Sequence, residues 1–224
     1  MEVVELLEII YLVITKELEN KLRREGHNVI RLAGRDRYQT SYRVAEEVAR
    51  LTDVDTVAIV NGKNGEADAV SIASAAIKNK MPVIVTDGKK LNSDLNSVKT
   101  YAIGGNAVIS DNLVNKTNAI RIGGRNRFET NKKVIWIISV IAIKNKKVIK
   151  KFYPNCKKFM ILESDGIHRS FALQAITADQ PIVLVSEKSD KSVLNGADEL
   201  LFVYFEELNS KIESSCLVAA RKNV

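Results

Sequence analysis

Residues 30–44, IRLAGRDRYQTSYRV, return at positions 120–134 as IRIGGRNRFETNKKV. Seven of the fifteen positions are identical, and six more are conservative exchanges: Leu32/Ile122, Ala33/Gly123, Asp36/Asn126, Tyr38/Phe128, Gln39/Glu129 and Arg43/Lys133. An internal repeat constrains the fold more than any single motif, because each copy must build the same local unit. Each copy runs from a short apolar strand (29–32, 119–122) through a glycine into Arg-x-Arg, and then into Asp36-x-x-Gln39 or Asn126-x-x-Glu129. This is a helix-start signature: the cap side chain satisfies early helix N–H groups, and the Gln or Glu reaches back to the cap. Arg35 and Arg37, like Arg125 and Arg127, therefore stand at a strand-to-helix junction, where N–H groups and the helix dipole favour an anion.

Around the copies, strand and helix signals alternate at short spacing. Residues 12–28 predict a helix capped by Thr15, with Leu18 and Leu22 on one face, and residues 107–118 predict its counterpart, capped by Ser110. Between them, the helix after Arg37 continues with Val44, Ala45, Val48 and Leu51 on one face. A buried strand follows at 57–61, then a polar loop at 62–65 and an Ala/Ser-rich helix at 69–78 with Asp68 as its cap. Met81-Pro82 ends that helix before a strand at 83–86. A short helix at 91–98 precedes a strand at 100–103 that runs into Gly104-Gly105. Such alternation predicts an α/β fold of tandem Rossmann-like repeats, with parallel sheets flanked by helices. The crossover rule puts Asn61, Thr86 and Gly104-Gly105 on one edge of the sheet, where ligands of open α/β sheets bind.

The second repeat is weaker. Residues 159–162 match the 57–60 strand, and Pro181 stands where Pro82 does. Asp68 has no clear counterpart, with His168 or Arg169 nearby; Tyr204-Phe205 replaces Gly104-Gly105, and a lysine-rich stretch at 144–158 is extra. The chain is accordingly divided into the tail of a preceding repeat (1–28), one repeat (29–118) and a second, degenerate repeat (119–224).

A net charge of +7 and a pI near 9.3 point to an acidic partner: nucleic acid, anionic lipid or anionic polysaccharide. Only 6% of residues are aromatic and none interleave with a basic run, which disfavours single-stranded nucleic acid. Two separated cysteines (Cys156, Cys216) and two histidines (His27, His168) compose no metal-ligand or nucleophile–base pattern. No signal peptide is visible, since the first residues carry acid where a signal carries base. The apolar run at 134–143 is too short for a membrane span, which needs about twenty residues.

The series RLAGRDRY-x-T, then an Ala/Ser-rich helix opened by Ala67-Asp68-Ala69, then PVIVT (82–86), then YAIGG (101–105) with Ile109-Ser110, resembles the cell wall-binding repeat 2 family of Gram-positive surface proteins. The resemblance is strong to Val134 and patchy to about residue 205. It implies a non-catalytic, cofactor-free module that anchors S-layer and other surface proteins to an anionic secondary wall polymer. It also implies a cell wall or cell surface location and Rossmann-like repeats that pack as a pseudo-trimer with other repeats of the kind.

Arg35, Arg37, Lys63, Arg125 and Arg127 are the candidate contacts to the anionic polymer, because guanidinium forks match phosphate bidentately. The structural alternative has the arginines pairing with carboxylates such as Asp68, Glu46 or Glu47 to tie neighbouring repeats together. Tyr38 and Phe128 read as core anchors of the helix start, with sugar stacking as the alternative. No Ser-His-Asp, Cys-His or phosphate-loop pattern recurs, so a Rossmann-type enzyme or a wall-amidase fragment is the weaker reading.

Overall fold

The computed structural model describes residues 3–6, 15–91, 95, 98–136, 156–164, 180–203 and 209–222. Three parallel sheets follow one another along the chain. In the first, β1 (Val3–Leu6) pairs with β2 (Asn28–Arg31), with α1 (Lys16–Arg24) between them. The second has the order β4-β3-β5-β6, from β3 (Thr56–Asn61), β4 (Val83–Thr86), β5 (Lys99–Ile103) and β6 (Ile120–Ile122). The third has the order β8-β7-β9, from β7 (Lys158–Glu163), β8 (Ile182–Val185) and β9 (Glu199–Val203). Every described pairing is parallel. The α/β expectation is thereby met.

The strand that opens each copy of the repeat pairs backwards, and the helix that follows packs forwards. β6 hydrogen-bonds to β5, while α5 (Arg127–Trp136) packs on β8 of the next sheet. β2 likewise pairs with β1, and α2 (Arg37–Leu51) packs on β4. Each Gly-Arg-x-Arg junction therefore crosses from one sheet to the next.

α3 (Glu66–Lys78) is shared by the two larger sheets. Ile72, Ala75 and Ala76 join the core of Ala58, Val60, Tyr101 and Ile103, while Ala67 and Val70 join Met160, Leu162, Ile182 and Leu184. A helix buried on two sides needs small residues to let both neighbours approach, which explains its Ala/Ser composition. Across its middle, Asn131 of α5 donates from Nδ2 to Ser71 Oγ (3.0 Å) and to the Ile182 carbonyl (2.7 Å), and accepts from Leu184 N–H (2.9 Å). Ser41 does the equivalent for β4, accepting from Val85 N–H (3.0 Å). Both side chains satisfy an N–H on a strand that stands at the edge of its sheet among the described residues. On the opposite face of the second sheet, Ile59, Ile84 and Ala102 pack with Ala45 of α2 and Leu113 of α4 (Asp111–Lys116).

Several local expectations change. α1 buries Glu19 rather than a leucine face; Leu18 is 41% exposed. The Glu19 carboxylate is held by Arg31 (2.7 Å), Lys16 and Arg23, which drives it well below the usual range. Leu51 is likewise exposed. α3 begins at Glu66 with Gly65 at the cap position and no side-chain cap, so Asp68 sits inside the first turn. Most of the helix expected at 91–98, most of the apolar run at 134–143 and most of the extra stretch at 144–158 lie outside the described residues, as do His168, Arg169 and Tyr204-Phe205.

Candidate functional site

The two junctions share their hydrogen bonds almost one for one. Gly34 N–H donates to Thr40 Oγ1 at 2.9 Å, and Gly124 N–H to Thr130 Oγ1 at 3.0 Å. Gln39 N–H donates to Asp36 Oδ1 (2.8 Å), and Glu129 N–H to Asn126 Oδ1 (2.9 Å). The third helical side chain does reach back, but one residue past the cap: Gln39 Oε1 accepts from Arg35 N–H (2.7 Å) and Glu129 Oε2 from Arg125 N–H (3.0 Å). Arg43 holds the Ala33 carbonyl (2.5 Å) and Lys133 the Gly123 carbonyl (2.6 Å). A side chain at Gly34 or Gly124 would strike residue 39 or 129 at Cβ (2.6 and 2.3 Å), which explains why both copies carry glycine there. Much of the N–H capacity expected for an anion is thus already spent within the junction, so anion attraction here falls to the side chains.

Those side chains go to different places. Arg37 donates to the Gly62 carbonyl at 2.5 Å, which joins the start of α2 to the loop after β3. Arg35 is exposed on a separate cleft of about 440 Å³ beside Asp36, Asp87 and Lys90. Arg125 pairs with Glu129 of its own helix (2.6 Å) while its side chain stays 90% exposed. Arg125, Arg127 and Lys63 converge on one cleft of about 420 Å³. The structure therefore gathers three of the five sequence candidates and sends the other two elsewhere. Phe128 packs against the core of the third sheet, as expected of an anchor. Glu47 pairs with Arg50, three residues on in α2, rather than with a repeated arginine.

The cleft has three walls. The first is the loop at 62–65, held by Asn61: its Oδ1 accepts from Lys63 N–H (2.8 Å) and Asn64 N–H (3.0 Å), and its Nδ2 donates to the Val108 carbonyl (2.7 Å) and the Asp87 carbonyl (3.3 Å). One amide thus stitches together three loops at the strand C-terminal edge. The second wall is the loop after Gly104-Gly105, whose backbone crosses that of Gly123-Gly124. A Cβ on Gly123 would sit 2.3 Å from the Gly104 carbonyl oxygen, and Gly104 has φ of +129°. The tight Gly104-Gly105 turn is therefore a backbone crossing, fastened by Arg121, which donates to the Gly104 carbonyl (2.9 Å) and the Ile109 carbonyl (2.8 Å). The third wall is the second junction itself, with Ser164 at the end of β7 beside it.

Asp68 lines this cleft at 7% exposure. Burial pushes its carboxyl up to about 7, although the positive charge of Arg127 pulls the other way. Sequence reasoning placed Asp68 at the helix cap and overlooked Asn61 as the organiser. The signals were present in an acid two residues inside an Ala-rich buried helix and a polar residue ending a buried strand. In the third sheet Glu163 occupies the position of Asn61 and has no amide to donate. There the loop after β8 is held by Lys191, whose Nζ donates to the carbonyls of Ser186 (2.8 Å) and Ser189 (3.1 Å).

Residues 31–114 match the sequence model of the cell wall binding domain 2 family. Among curated proteins, the chain is similar to the N-acetylmuramoyl-L-alanine amidase LytC of Bacillus subtilis (strain 168), 32% identical over 124 residues, or 52% of this chain and 24% of that protein. It is also similar to the amidase enhancer of the same organism, 31% identical over 126 residues, or 54% of this chain and 17% of that one. The chain thus spans a quarter or less of the length of these relatives. Among solved structures, Cwp6 from Clostridium difficile shares the fold with a TM-score of 0.69 at 21% identity, covering 92% of this chain and 34% of that one. Cwp8 from Clostridium difficile is similar with a TM-score of 0.66 at 28% identity, covering 92% of this chain and 35% of that one.

Proposed function

We propose that the chain is a non-catalytic module that binds the cell wall through an anionic secondary polymer, a reading supported by the match of residues 31–114 to the cell wall binding domain 2 family. The observation that carries the anionic part is the meeting of Lys63, Arg125 and Arg127 in one cleft between the repeat and the junction that follows it. Clustered guanidinium and ammonium groups bind phosphate or carboxylate groups more strongly than scattered surface charge does. The similarity to an amidase covers 24% of that protein, and the amidase activity belongs to that protein. A wall or surface location follows from the same reading.

The experiment is co-sedimentation of the purified chain with Gram-positive cell walls, before and after acid extraction of the anionic polymer, across a salt series. Binding should require the polymer and weaken as salt rises, and Lys63→Ala/Arg127→Ala should weaken it further. Equal binding to extracted and intact walls would overturn the anionic ligand.

A second reading, assembly with other repeats in a pseudo-trimer, draws on the exposed Leu217 and Val218 of α6 (Ser210–Ala220). A stable polymer-free trimer in light scattering would favour it.

A further inference from the structure

Asp68 carries a buried acid that the fold does not use. It is 7% exposed, opens onto the cleft and accepts no hydrogen bond among the described residues. Its carboxyl oxygen lies against Gly104, where an added Cβ would come within 2.7 Å of it. The charged side chains lining the cleft are Lys63 and Glu66 from the loop and first turn of α3, and Arg125 and Arg127 from the second junction. The loop at 105–108 contributes no charge to it, and the end of β7 contributes Ser164. Arg127 acts on Asp68 through its field, without direct ion-pair contact among the described residues. An ionised Asp68 and a phosphate or carboxylate in the same cleft repel each other and compete for the same guanidinium.

We propose that the cleft binds its anionic group together with one proton, which solvent delivers to the Asp68 carboxyl. This regulation rests on the anion-binding reading above. Protonation removes the opposing charge, leaves Arg127 to the ligand and turns the carboxyl into an O–H donor for a ligand oxygen. Burial already holds the carboxyl near pH 7, so the uptake falls where a modest change of acidity shifts it. By linkage, affinity is level at acid pH and falls by up to about tenfold per pH unit above the Asp68 midpoint.

The test has two arms. In the first, wall co-sedimentation is run from about pH 5.5 to about pH 8.5 for wild type and Asp68→Asn. Wild type should lose affinity with rising pH and the variant should keep a flat profile; identical profiles overturn the proposal. In the second, carbon-detected NMR follows the Asp68 carboxyl with and without pyrophosphate as the probe anion. Pyrophosphate should raise the midpoint by about one unit or more. A midpoint that does not move overturns the proposal. A moved midpoint in a protein that binds no walls sustains the proton-linked anion site and removes the wall reading instead.

Discussion

In the first copy of the repeat, Arg37 reaches across its own unit to the Gly62 carbonyl; in the second, the equivalent Arg127 faces Asp68 across a cleft. The junctions around them are built from matching hydrogen bonds, yet one arginine is spent on a backbone carbonyl and the other lines a cleft. The difference lies in what each junction is packed against. The second has a complete strand edge beside it, with the loops at 62–65 and 105–108 sewn together by Asn61. The cleft that Arg127 lines is therefore built from both sides, by the loops at 62–65 and 105–108 and by the second junction that follows them.

The largest expected effect concerns the acid that only the second setting provides. With a folded midpoint of about 7 against 3.8 for an ordinary Asp, the folded chain holds a proton that the unfolded chain has released between those values. Stability should therefore fall as pH rises from 4 towards 7 and level off above it, a loss of roughly 4 kcal/mol at about 1.4 kcal/mol per unit. Asp68→Asn should abolish that slope in urea melts and leave the variant more stable than wild type at alkaline pH. An unchanged slope would show that some other group sets it.

Next comes the residue before each junction glycine, Ala33 in the first copy and Gly123 in the second. Gly123→Ala drives a methyl into the Gly104 carbonyl and should cost about 3 kcal/mol, whereas Ala33→Gly at the matching place should cost under about 1 kcal/mol. Equal losses on chemical denaturation would contradict the crossing. Asn61→Ala removes four hydrogen bonds from three loops and should cost about 2 kcal/mol. Asn61→Glu, which copies the third sheet, should do at least as much harm, because the loop carbonyls lose their donor.

The smallest effect separates the two arginines directly. Arg37→Met should cost about 1 kcal/mol of stability through the lost Gly62 contact. Arg127→Met should leave stability level or slightly lower at neutral pH, yet weaken wall binding more than Arg37→Met does. Reversed ranks in the sedimentation assay would place the ligand at the first junction instead.

How much of this was legible beforehand can be followed residue by residue. The caps at Thr15, Asp36, Ser110 and Asn126, and the strands at 57–61, 83–86 and 159–162, were readable because caps act over three residues and buried strands show as unbroken apolar runs. α1 misled because its leucines suggested a core face, while the face that is buried carries Glu19 held by three cations. Asp68 misled for a related reason: an acid near a helix start is most simply a cap, and only burial between two sheets makes it something else.

By itself the sequence determined the repeat, the parallel α/β architecture and the internal chemistry of each Gly-Arg-x-Arg junction. These depend on periodicity and on partners within a few positions, and both are written along the chain. The tertiary structure decided which cations meet, because Lys63 and Arg127 become neighbours only when the junction crosses from one sheet to the next. It also decided the state of Asp68, since desolvation is set by everything that packs around a group and by nothing in its immediate sequence.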